Sequence, residues 1–332
     1  MTSSPTDVTV LLDDRLRLIS AVLALTDYPD QEKARHGHGS HLHARNTRKQ
    51  LAEHSGHPAV ADMQSLLNLG APLDVIFTLA LLLDAETGAI DRPPNWLPAH
   101  WGPNLSDFYL NTAVRPFWQK EEEYWLRAVD EAARALEGKQ FKPFLELFVG
   151  AFPEQLVFVP NISYPTVGEL GLRLGGSIVL LVPPRIAWGE SPPWPYDEDP
   201  AHVYRAVIAT AGQMLMMDFL RANAANISLE GQKPLPLNDA FMKNNPTWAE
   251  QFTYLFVTSA VAIFLEDHAS KQEADAHVLM ERRVTGLDVL PAAIQIYRRY
   301  LREVRDGKYS NILDFIPHFS RQLRITHRVG KM

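Results

Sequence analysis

The stretch from His202 to Leu220, HVYRAVIATAGQMLMMDFL, constrains this chain most, because apolar residues fall on nearly every face of the helix it predicts. Such a helix belongs inside the protein. Asp199 before Pro200 marks its start: the carboxylate accepts an orphan backbone N–H, and proline at the first helical position gives up a donor that has no partner there. Asp197 and Glu198 add negative charge where the helix dipole favours it. Arg205, Gln213 and Asp218 interrupt the run, and a helix in lipid rarely carries three such residues. The expectation is a buried helix over 200–221. Its polar side chains, Arg205, Thr210, Gln213 and Asp218, either hydrogen-bond to neighbouring elements or border a pocket beside the long loop Ala222 to Pro246.

The chain's 332 residues suffice for one large domain or two lobes. A net charge of -7 argues against general nucleic-acid binding, since phosphate would be repelled. The Lys and Arg residues between Arg298 and Lys331 read as the solvated face of terminal helices. Without cysteine there is no disulfide, thiolate metal site or cysteine nucleophile. Residues 1–7 have neither a basic nor an apolar leader segment, so cytoplasmic residence is the expectation. The apolar run Tyr254 to Leu265 falls short of the roughly 20 residues that cross a bilayer, and no membrane contact is expected.

Periodicity predicts helices over 11–25, 46–53, 73–84, 106–117 and 119–137, with a proline-rich loop at 91–103. Three short β-rich segments, 155–160, 169–174 and 177–182, separated by glycine and asparagine, predict a small meandering sheet. Helices return over 248–270, 272–284, 287–304 and 312–326. The predicted class is α+β and predominantly helical. An N-terminal helical lobe occupies 1–150; a small sheet, the central helix and a C-terminal helical lobe occupy 151–332, unless the whole is one continuous domain.

This order of elements, with the N-terminal LRLISAVLALTDYP and HPAV segments and the terminal YLREVRDGKYSNILDFIP, resembles a bacterial domain-of-unknown-function family whose members are similar to gluzincin-type zinc metallopeptidases. The resemblance implies His-Glu-x-x-His on the buried helix and a third, acidic ligand on a later helix. Histidines four apart bind one zinc, and the glutamate activates its water. In the natural register the motif falls on Ala209-Thr-Ala-Gly-Gln213, and the third ligand falls near Leu255. Ala209 has no lone pair, Thr210 is no carboxylate base, and Gln213 and Leu255 are poor or impossible zinc ligands. The resemblance therefore implies a catalytically inactive homologue with a degenerate ligand pocket at Arg205, Ala209, Thr210, Gln213 and Leu255. Such a chain takes a protein or peptide ligand, no catalytic residue and no cofactor.

His36, His38, His41, His43, His54 and His57 hold half of the chain's 12 histidines. Two readings are open: a flexible, solvated loop with adventitious zinc affinity, whose imidazoles gain charge together below about pH 6.5, or a metal site serving a hydrolase. A second group, Glu266, His268, Glu273 and His277, reads as an exposed charged turn or a divalent-ion site. Trp188, Trp194 and Tyr196 on the entry loop either line a pocket mouth or pack the loop down.

Overall fold

A computed structural model describes residues 6–35, 40–185 and 191–329. In chain order the strands are β1 (Val8–Val10), β2 (Gln155–Pro160), β3 (Leu170–Leu174) and β4 (Ser177–Val182). The first eight helices are α1 (Asp14–Leu23), α2 (Tyr28–Arg35), α3 (Leu42–Gln50), α4 (Pro58–Asn68), α5 (Leu73–Leu81), α6 (Trp101–Asn111), α7 (Val114–Leu136) and α8 (Lys142–Val149). They are followed by α9 (Pro200–Ala222), α10 (Asp239–Asn244), α11 (Trp248–His268), α12 (Lys271–Thr285), α13 (Leu290–Arg305) and α14 (Ile316–Val329). The protein is predominantly helical with a small sheet, as its composition pattern predicts.

The chain forms two units. The strand unit comprises Val8–Glu137 and Glu154–Val203; the helical unit comprises Asp7, Gly138–Pro153 and the chain from Tyr204 on. The sheet joins the N-terminal helices because Val8–Val10 pairs in parallel with Leu156–Phe158. Three residues are too short to announce a strand in sequence, and β1 goes unpredicted for that reason.

The sheet is not a meander. Its order is β1-β2-β4-β3, with β2 parallel to β4 and β3 antiparallel at the edge. Burial explains the order. In β2 and β4 the five residues after the first are all buried, as suits central parallel strands covered on both faces, whereas β3 buries only Leu172. Val157, Val159, Val179 and Leu181 join a core with Leu18, Val22, Phe77 and Trp101. The alternate residues Leu156, Phe158, Ile178 and Leu180 point to the other face and are buried as well.

Two buried charges tie this unit together. Arg17 lies between Trp118 and Trp125, its guanidinium 4.4 and 4.8 Å from the ring centres, and it pairs with Asp14 at 2.9 Å. Glu32, only 6% exposed, accepts from the Thr166 N–H at 3.0 Å, the Thr166 hydroxyl, the Val167 N–H at 3.3 Å and the Tyr28 hydroxyl at 3.1 Å. It pins the loop between β2 and β3 to α2.

In the helical unit α11 packs against α12 and α13. The apolar segment of α11 is longer than the run Tyr254 to Leu265 suggests: the helix has 21 residues and is long and apolar enough to cross a membrane. Most of it is buried within the protein, with Phe252, Phe256 and Phe264 fully enclosed. Its rings meet Phe319, Phe148 and Phe141 at 5.3, 4.9 and 4.8 Å. The Asp7 carboxylate accepts from the N–H groups of Phe141 and Lys142 at 3.0 and 2.6 Å, supplying the cap at the start of α8.

Replacing Glu32 by alanine leaves the Thr166 and Val167 donors unpaired in a buried setting. E32A is expected to lower unfolding free energy by about 3 kcal/mol, read from urea denaturation; a loss within experimental error refutes the anchoring role.

Candidate functional site

The Asp199 carboxylate accepts from the His202 N–H at 3.2 Å at the start of α9, as its position before Pro200 predicts. Beyond that turn, α9 is buried over most of its circumference: from Val203 to Leu220 only Gln213 is exposed. Val203, Ala206, Val207, Ile208 and Ala211 are enclosed, and a Cβ on Gly212 would meet Leu145 of α8 and Phe256 of α11 at 3.5 Å. Arg205, Ala209 and Thr210 are half-buried and Gln213 is exposed. Arg205, Ala209 and Gln213 follow one another at intervals of four and form a stripe along one face. Asp218 is half-buried and pairs with Arg221 at 3.0 Å. The helix is thus buried as expected except at Gln213, while its polar side chains Arg205, Thr210 and Asp218 are half-buried rather than enclosed. Leu255, at the supposed third-ligand position, is fully buried in α11.

Beside Arg205 lies a group that sequence reading left unassembled. On α12, His277 and Glu281 are one turn apart. The His277 Nε2–H donates to the Thr258 carbonyl at 3.2 Å, and the Tyr254 hydroxyl donates to Glu281 at 3.0 Å. Burial pushes the His277 imidazole down to about 4, with the nearby Arg205 charge adding to the effect and the Thr258 bond opposing it. Burial raises the Glu281 carboxyl, while the Tyr254 bond and the Arg205 charge hold it back. The available signal was the i,i+4 spacing of His277 and Glu281. The other members of the second group go elsewhere: Glu266 pairs with Arg298, the His268 ring lies 4.2 Å from that of Phe264, and Glu273 follows the Ser270 cap of α12 in an exposed turn. The charged-turn reading suits Glu273, but His277 faces inward.

The histidine-rich segment is not simply a solvated loop. His36 and His38 lie outside the described residues. His41 is fully buried and caps α3, its Nδ1 accepting from the Ala44 N–H at 3.3 Å. His43, on α3, is buried with its Nδ1 3.3 Å from Glu121 and its ring 4.5 Å from Tyr124. His54 accepts from the Ala113 N–H at 3.0 Å. His57 accepts from the Ala59 N–H through Nδ1 at 3.2 Å and contacts Asp107 through Nε2 at 3.0 Å. Each described imidazole has its own local task, and among the described residues no three His, Asp or Glu side chains converge as metal ligands. Nor do these histidines charge together: burial pushes His41 down to about 3, and burial also lowers His43 against the pull of Glu121.

Trp188 also lies outside the described residues. Trp194 and Tyr196, by contrast, line a pocket of about 120 Å³ in the strand unit together with His43. Tyr196 is buried and donates its hydroxyl to the Val182 carbonyl at 2.7 Å, whereas Trp194 is 49% exposed at the mouth. The two sequence readings of this loop thus apply to different residues: Tyr196 packs the loop down and Trp194 borders an opening.

The His277 imidazole generates a pH dependence. The unfolded chain takes up this proton near pH 6.5 and the folded chain only near 4, so the contribution is complete above 6.5 and is lost as pH falls from 6.5 to 4. The variant H277Q keeps an N–H for Thr258 without titrating. It is expected to lose less stability than wild type between pH 7 and 4.5, by about 2 kcal/mol in denaturant titrations; parallel losses refute the assignment.

Comparison with protein-family models, with curated proteins and with solved structures finds no match for this chain.

Proposed function

We propose that this chain is a non-catalytic binding protein on a zinc-metallopeptidase-like plan, with a protein or peptide segment as its ligand. The observation that carries this reading is Gln213, exposed on an otherwise largely buried α9, with Arg205 and Ala209 half-buried along the same face and Thr210 half-buried beside them. Where the resemblance puts zinc ligands and a general base, this face offers a methyl group, a hydroxyl and a carboxamide. What the face does offer is hydrogen bonding. A guanidinium and a carboxamide two turns apart complement the carbonyls and carboxylates of an extended peptide.

The rival reading, a hydrolase built on the histidines from His36 to His57, draws no support from His41, His43, His54 or His57, each of which has a ring nitrogen engaged in capping or local pairing, while the other nitrogen of His41 is buried. Two measurements test the proposal. A quenched-peptide and ester panel, run with and without chelator on metal-analysed protein, is expected to give no chelator-sensitive turnover. Stoichiometric zinc on α9, or turnover that chelation abolishes, overturns the non-catalytic reading. Selection of random peptides on the wild-type chain is expected to enrich a class that R205A and Q213A bind about tenfold more weakly. Equal enrichment on both variants removes α9 as the binding face.

A further inference from the structure

The pocket beside α7 is independent of the α9 face and carries a definite ligand chemistry. Four of its lining residues, Tyr124, Arg127, Ala128 and Glu131, come from α7; His43 comes from α3; and Ile162, Pro184 and the loop from Pro192 to Tyr196 line the rest. A volume of about 120 Å³ corresponds to roughly four water molecules at about 30 Å³ each, space for a ligand of about four to six heavy atoms.

Charge selects among ligands of that size. Arg127 and Glu131 are one turn apart on α7, so their side chains leave one helix face about 6 Å apart. Arg127 donates to Glu123 at 2.7 Å in an exposed i,i+4 pair, which holds it only weakly. Glu131 accepts from the Tyr196 N–H at a long 3.3 Å, which leaves most of the acceptor capacity of its carboxylate. Burial raises the Glu131 carboxyl, an under-solvated group that gains from a cation at close range. His43 adds no charge near neutral pH, because burial lowers its pKa.

Ile162, Pro184 and the loop prolines make the rest of the wall largely apolar, with the Trp194 indole at the mouth. Pro192, Pro193 and Pro195 have no N–H to donate, and the Tyr196 hydroxyl is spent on Val182. A simple amine fits Glu131 but meets Arg127; a simple carboxylate fits Arg127 but meets Glu131. A molecule carrying both charges two or three bonds apart answers both.

We propose that this pocket binds a free small α-amino acid as its zwitterion, the ammonium on Glu131, the carboxylate on Arg127, and the aliphatic part against Tyr124 and the prolines. The test is calorimetric titration of the full chain with glycine and L-alanine, alongside methylamine and acetate, with circular dichroism confirming the fold of each variant. Glycine or alanine is expected to bind at least about tenfold more tightly than either single-charge fragment. E131Q and R127M, both near-isosteric, are each expected to weaken that binding by about tenfold or more. No binding of glycine or alanine, a fragment that binds as tightly as the amino acid, or variants that bind like wild type overturn the proposal. Because R127M and E131Q leave α9 untouched, their outcome is separate from that of R205A and Q213A.

Discussion

The strand unit depends on one constraint: β2 and β4 are paired in parallel and buried on both faces. Every backbone N–H and C=O in such strands must find a partner in the ladder, and every side chain needs protein on its side of the sheet. β1 and β3 meet the first demand by flanking the pair. For the second, Val157, Val159, Val179 and Leu181 pack into the core shared with α1, α4, α5 and α6, and α7 packs along β1 and β2. The loop that leaves β2 is then held by the buried carboxylate of Glu32, and the loop that leaves β4 is held by the Tyr196 hydroxyl on Val182. Both groups are polar tethers in apolar surroundings, where an unmade bond costs more than in water.

The same exit from β4 leads to α9, which explains how one helix serves two environments. Pro200–Val203 belong to the strand unit and the rest of the helix to the helical unit. Gly212 of α9 faces Leu145 of α8 and Phe256 of α11, where an added Cβ would make ordinary contacts at 3.5 Å. Gln213 is exposed, and Arg205 and Ala209, at intervals of four before it, are half-buried.

Much of the fold was legible in the residues. The helical periods of α1, α5, α7 and α11 to α14, the β-rich composition of β2 to β4, and the Asp199-Pro200 start of α9 all reflect local chemistry that tertiary structure left intact. The short elements escaped: β1 is stabilised by pairing alone, and α2, with its Tyr-Pro-Asp start, looks like a helix terminator. The candidate site was less legible. Arg205, Gln213, His43 and Tyr196 were visible as polar or aromatic anomalies, but Tyr124, Arg127 and Glu131 look like ordinary members of a charged amphipathic helix until a proline loop folds over them. The histidine cluster misled in the opposite sense. Proximity along the chain suggested a common task, whereas the fold points each described imidazole at a different backbone or carboxylate partner.

Residue types alone determined that 209–213 carries no His-Glu-x-x-His motif and where most helices run, because motif, hydrophobic period and capping are properties of a few neighbouring residues. Tertiary structure decided the rest: the strand order, the exposure of Gln213 on α9, the low pKa of His41 and His277, and the meeting of Glu131 with Trp194 and Tyr196. Those depend on what surrounds a residue in space, since burial and electrostatic interaction are set by distant parts of the chain.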